Sequence, residues 1–90
     1  TLPMETKLVG SYPNPFNPTT AIKYAISSPL LVSLHVYNTL GEEVAVLVNE
    51  FQDAGYKSLE FEGNKFPSGM YFYRLQAGNY TEMKKMLLMK

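Results

Sequence analysis

Few side chains in this sequence can do acid–base or ligand chemistry. There is one histidine, His35, and no cysteine, which excludes a disulfide framework, a thiolate zinc site and a cysteine nucleophile. The alternation of Val32, Leu34 and Val36 places His35 on the opposite face of a strand, at the surface. A single imidazole there, with no second histidine or carboxylate at ligand spacing, reads as inert rather than as a base or metal ligand. Glu42 and Glu43 follow a turn, and Glu60 and Glu62 share a strand face. Such pairs do glycosidase chemistry only across a cleft, which a chain this short rarely offers, so they read as solvated charge. The sequence holds no nucleophile elbow, phosphate-cradling glycine loop, dinucleotide fingerprint or metal-ligand spacing. The expectation is a domain that is not an enzyme, with no cofactor and no metal.

Three weaker signals remain. Tyrosines stand at 12, 24, 37, 56, 71, 73 and 80 and could stack on sugars, but Tyr24, Tyr71 and Tyr73 fall in strand patterns that face a core. Lys84, Lys85 and Lys90 make the last stretch basic. Three lysines on a chain of formal net charge +0 are a weak footprint for nucleic acid, and lysines also blunt sheet edges. Asn79-Tyr80-Thr81 matches the glycosylation triplet and reads more simply as a hairpin turn.

The elements that must position these groups are strands. Ile22, Tyr24 and Ile26 share one face, as do Val32, Leu34 and Val36. Further strands are predicted near Leu8–Tyr12 and over 43–50, 57–62, 70–76 and 80–89. The last is ambiguous with helix; Gly78-Asn79 between two apolar runs decides for a two-residue hairpin. Asn38-Thr39-Leu40-Gly41 predicts another hairpin loop, Ala54-Gly55 a break, and Gly63 to Gly69 a longer turn containing Pro67. About seven short strands with breaks every ten or so residues predict an all-β fold, an immunoglobulin-like antiparallel β-sandwich, with a small barrel as the alternative.

Ninety residues, 46% hydrophobic and 18% charged, allow one small folded domain. No segment approaches the roughly 20 apolar residues of a membrane-spanning helix, and the first residues carry no signal-peptide pattern. A polar start without methionine suggests a domain cut from a larger protein, with 1–10 a linker and 11–90 the sandwich. Charge is uneven: between Glu42 and Glu62 the only lysine among the carboxylates is Lys57.

Tyr12-Pro13-Asn14-Pro15-Phe16-Asn17-Pro18-Thr19-Thr20 is unlike an ordinary loop. Its prolines fix φ and remove donors, predicting an extended, polyproline-like segment unable to pair as a central strand. Tyr12 and Phe16 supply apolar anchors, and Asn14 and Asn17 can bond backbone, so the segment is expected to lie across the sandwich.

That segment, then Val36-Tyr37-Asn38-Thr39-Leu40-Gly41-Glu42-Glu43-Val44, Ala54-Gly55, Ser68-Gly69-Met70-Tyr71-Phe72-Tyr73-Arg74-Leu75 and the terminal Lys84-Lys85-Met86-Leu87-Leu88-Met89-Lys90, follow one another in an order that closely resembles the type A C-terminal sorting domains of the bacterial type IX secretion system. The resemblance runs from about Leu8 to the end. It implies a non-catalytic signal that targets a covalently joined upstream cargo to the outer-membrane translocon, as in Bacteroidetes, followed by removal by a sortase-like peptidase and release or surface attachment. It implies a secreted or cell-surface location reached through the periplasm. By motif match, the translocon-recognition candidates are Tyr12, Pro13, Asn14, Pro15, Phe16, Gly69, Tyr71, Lys84, Lys85 and Lys90. Gly41, Gly69 and Tyr71 are also suspected of serving the fold. The peptide to be cleaved is expected within Thr1 to Gly10.

Two other readings stay open from sequence. Gly41 to Val44, Ala54-Gly55, Phe61-Glu62-Gly63 and Gly69-Met70-Tyr71 also resemble the immunoglobulin-like module of flagellar hook-capping proteins, which does not account for the proline-rich segment. An accessory spacer or sugar-binding sandwich of a secreted hydrolase would show an exposed aromatic row.

Overall fold

In the computed structural model, which describes residues 2–90, seven strands form two antiparallel sheets: β1 (Lys7–Tyr12), β2 (Thr19–Ile26), β3 (Leu30–Tyr37), β4 (Glu43–Gln52), β5 (Gly55–Glu62), β6 (Gly69–Ala77) and β7 (Tyr80–Leu88). One sheet has the order β1-β2-β5 and the other β4-β3-β6-β7. The expected β-sandwich is therefore present. Its first, second and fifth strands share one sheet, and the fourth joins the third in the other, as in immunoglobulin-like sandwiches whose fourth strand has changed sheets.

The alternation seen in the sequence fills the core. Ile22, Tyr24 and Ile26 from β2, Val32, Leu34 and Val36 from β3, Tyr71, Tyr73 and Leu75 from β6, and Met86 and Leu88 from β7 are all buried. The β6–β7 hairpin closes on the Ala77–Tyr80 pair. Gly78, with φ 60°, takes the first corner, while Asn79 has no positive φ, so glycine alone supplies the left-handed residue of this turn. In the Asn38–Gly41 turn, Gly41 has φ 83°, and Asn38 Oδ1 accepts hydrogen bonds from the backbone N–H of Leu40 at 2.9 Å and of Glu42 at 3.0 Å. At the start of β6 the Tyr71 hydroxyl donates to Pro67 O at 2.6 Å, a tyrosine corner that pins the turn to the strand.

The lead-in differs from the expectation of an uncommitted 1–10. Lys7–Gly10 lie in β1, paired with β2 through a bulge between Leu8 and Gly10, and Leu8 is buried. The bulge turns Val9 outward and Leu8 into the core. Thr6 continues the tie, its hydroxyl accepting from Ser27 N at 3.1 Å. The sandwich therefore takes in residues ahead of 11, beginning with β1 at Lys7.

Gly63 closes the other end. Its N–H donates to Pro18 O at 2.7 Å, and a Cβ there would lie 2.8 Å from Leu88 Cδ2 and 3.1 Å from that same carbonyl oxygen. Gly63→Ala is expected to destabilise the domain by about 1–3 kcal/mol, because backbone on one side and a buried leucine on the other cannot both yield. Thermal unfolding of the variant reads this as a midpoint lowered by at least ~4 °C.

Candidate functional site

The proline-rich segment is an arch, not a polyproline rod. Bends at 13–15 and 17–18 flank a single parallel bridge from Phe16 to Leu88. The peptide bonds before Pro13, Pro15 and Pro18 are cis. Two residues anchor the arch to β7. Phe16 N donates to Leu87 O at 2.9 Å, and Phe16 O accepts from Met89 N at 2.8 Å. Asn14 Nδ2 donates to Lys85 O at 3.1 Å, and Asn14 Oδ1 accepts from Leu87 N at 3.0 Å. The phenyl ring of Phe16 is buried edge-to-face on Phe61, with centroids 6.0 Å apart. Thr20, buried, donates its hydroxyl to Pro13 O at 2.8 Å. The sequence expectation that the segment lies across the sandwich holds; the expected extended shape does not, because side chains spaced two apart are both drawn onto one strand.

This arrangement decides which part of the β7 edge is open. The outward backbone groups at 85, 87 and 89 are taken by Asn14 and Phe16. By the two-residue period of a strand, the outward groups of Thr81 and Met83 continue the same edge without such a cover. Beside them runs a groove of about 720 Å³, walled by Gly10, Ser11 and Tyr12 of β1, Asn14 of the arch, Phe72 and Tyr73 of β6, and Met83, Lys84 and Lys85 of β7. It lies where an edge strand of each sheet meets the other.

A polar clasp holds the two edges together at one end of this seam. The Tyr80 hydroxyl accepts from Leu8 N at 2.9 Å and donates to the Glu82 carboxylate. Burial pushes the Tyr80 phenol up, and the bond from that phenol holds the Glu82 carboxyl below its ordinary value. Lys84 Nζ lies 3.4 Å from Glu82 Oε2, so its charge is partly balanced within β7. Lys85 is exposed and has no ion pair among the described residues. Burial also raises the Tyr73 phenol.

Of the sequence candidates, Tyr12, Asn14, Lys84 and Lys85 are brought together in the groove. Pro13 and Pro15 lie in the arch beside it, and Phe16 is in the core. Gly69 and Tyr71 sit elsewhere, at the Asn38–Leu40 end of the sandwich with Phe66 and Pro67. Lys90 is held at the 63–69 turn, its Nζ donating to Asn64 O at 2.7 Å. Sequence reasoning missed Ser11, Phe72 and Met83 as groove residues. Phe72 and Met83 stand on the outward parity of neighbouring strands, a signal present in the alternation but spread over two strands.

His35 is half-buried rather than free at the surface. Its Nδ1 lies 2.5 Å from Glu43 Oε1, and its ring stacks on Tyr37. The β3–β4 register supplies the carboxylate that sequence spacing did not reveal. No cluster of three or more histidine, cysteine, aspartate or glutamate side chains suited to a metal occurs among the described residues. No helix among the described residues is long and apolar enough to cross a membrane.

A family described as the secretion system C-terminal sorting domain matches residues 11–89. No curated protein and no solved structure matches the chain.

Proposed function

The chain belongs to the family of secretion system C-terminal sorting domains, and on that premise we propose that it is read, at the groove between β1 and β7, by the outer-membrane translocon of the type IX system. The family is one of sorting signals and not of known catalysts, and its domains belong to proteins exported across the outer membrane. The observation that carries the proposal is the convergence of Tyr12, Asn14, Lys84 and Lys85, far apart in sequence, on one groove beside an uncovered stretch of edge strand. A translocon that accepts unrelated cargoes must read a surface the cargo does not contribute, and a free edge with flanking cations offers main-chain pairing plus charge. Along β7 an added strand would pair at Thr81 to Lys84, since the arch occupies the edge from Lys85 onward. The upstream cargo is carried through covalently. Removal by a sortase-like peptidase, with release or surface attachment of the cargo, would act on peptide ahead of β1, where cutting leaves the sandwich intact.

The test is a periplasm-directed fluorescent protein fused to residues 1–90, expressed in a type IX-competent bacterium and in the same strain lacking the translocon. Translocon-dependent reporter outside the outer membrane is expected. Lys84→Glu/Lys85→Glu should lower export by at least ~10-fold, which like-charge repulsion of a few kcal/mol readily supplies, while the purified variant keeps its cooperative unfolding. Retention of the intact, folded fusion in the competent strain would refute the reading.

A further inference from the structure

On the outward face of the four-stranded sheet, Arg74 is the sole arginine of the chain, and it lacks the partner its chemistry calls for. It stands on β6 between His35 of β3 and Met83 of β7. Its guanidinium carbon sits 5.3 Å from the centroid of the Tyr37 ring, which fixes the plane of the group. Its Nε is buried without a hydrogen-bond partner, and Arg74 forms no ion pair among the described residues. On β4, beyond His35, the Glu43 carboxylate is engaged with His35 Nδ1. The guanidinium lines a depression of about 310 Å³, whose walls include Tyr37, Phe72, Met83 and the Asn38–Thr39 turn.

We infer that this depression receives the carboxylate of an aspartate or glutamate carried on an extended segment of a partner protein. The buried Nε is closed to an incoming group, but the terminal Nη donors of a planar guanidinium held by an aromatic ring lie parallel and match both oxygens of a carboxylate. Two observations favour a peptide over a small anion. The walls on either side of Arg74 are aromatic and thioether surface, suited to side chains flanking the carboxylate. Phe72 and Met83 also wall the groove at β7, so the surface continues well past what one small anion covers. Lys85, paired with Phe72 in the register, adds a second positive charge beside the path. The inference stands independently of the sorting reading, since it requires only the folded domain.

A single arginine gives a single Nε–Hε resonance, so the site can be watched directly by 1H–15N spectroscopy on the isotope-labelled 90-residue chain. The probe is acetyl-Phe-Glu-Phe-amide, with acetyl-Phe-Gln-Phe-amide as the uncharged control and inorganic phosphate as the competing small anion. A saturable shift of the Arg74 resonance with the glutamate peptide is expected, at least ~10-fold weaker with the glutamine peptide and at least ~5-fold weaker, followed through backbone amides, in Arg74→Lys, which keeps the charge and loses the fork. An equal response to the two peptides would overturn the inference, leaving an aromatic surface indifferent to charge. So would the absence of saturation in the wild-type chain, whose fold is not in question. Tighter binding of phosphate than of the glutamate peptide would overturn the assignment to a protein carboxylate.

Discussion

Phe16→Ala is expected to lower the stability of the domain by about 3–5 kcal/mol, the cost of emptying a buried aromatic position. Phe16 is 2% exposed although it belongs to no strand. Its ring fills the space between Phe61 and the end of β7, and its backbone makes both hydrogen bonds that tie the arch to Leu87 and Met89. The ring therefore holds those bonds in register, and its loss leaves an arch with only Asn14 and the Pro13 carbonyl to fasten it. Against a total stability of roughly 5–13 kcal/mol for a domain of this length, the thermal midpoint should fall by at least ~12 °C. Hydrogen exchange should quicken most at the amides of residue 16 and Met89, which make the two backbone bonds of the bridge, while the Leu87 amide keeps its Asn14 acceptor. Retention of slow exchange at residue 16 and Met89, with a midpoint close to wild type, would show that the ring does not hold the arch.

The contrast with Tyr12 separates folding from recognition. Tyr12 is 53% exposed and lies at the groove, so Tyr12→Ala should stay within roughly 0.5 kcal/mol of wild type, as surface substitutions do. A motif read as one unit in sequence thus divides into a buried residue that builds the arch and an exposed residue at the groove. Gly69 and Tyr71 fall on the building side for a related reason. Gly69 has φ 148°, in the range that favours glycine, and the Tyr71 hydroxyl is committed to Pro67 O.

Strands, hairpins and core-facing parity were legible because each is a local pattern. The two-residue period of β2, β3 and β6 assigns their inward side chains without tertiary information, and Gly41 and Gly78 mark turns by their own conformational needs. What was not legible depends on residues brought together from distant parts of the chain. The docking of Phe16 on Leu88 joins positions 72 residues apart, and nothing in Tyr-Pro-Asn-Pro-Phe-Asn-Pro says which strand will receive it. The Leu8–Tyr80–Glu82 clasp is equally remote. The bulge that brings Lys7–Gly10 into the sheet hides in a short stretch whose alternation it interrupts. His35 met its carboxylate only through a register that is itself shifted by bulges between β3 and β4. The site was visible as a list of residues and invisible as a groove, since Lys90, Gly69 and Tyr71 share the family's motifs without sharing the place.

Deleting residues 84–90 should abolish folding, not merely recognition, and this is the largest effect expected of any change to the C-terminus. The segment carries Met86 and Leu88, 0% and 1% exposed, and removing two such side chains costs about 2–5 kcal/mol each. That loss of roughly 4–10 kcal/mol is comparable to the whole stability expected of the domain. The backbone loss adds to it. Gly69 to Tyr73 would lose their pairing with β7, Phe16 and Asn14 would lose their partners on that strand, and β6 would become an unprotected edge prone to aggregation. A purified chain of residues 1–83 is expected to show no cooperative thermal transition and to bind a hydrophobic dye. Failed export of a fusion so truncated would then follow from either folding or recognition and decide nothing between them. Lys84→Ala/Lys85→Ala avoids the ambiguity, because one side chain is exposed, the other is half-exposed in a surface ion pair worth about 0–1 kcal/mol, and neither enters the core. Its midpoint should stay within a few degrees of wild type, leaving any fall in export to the lost charge. A sharp, wild-type-like transition in the 1–83 chain would instead mean that the sandwich closes without β7, and the arch would then need another anchor than the one the structure gives it.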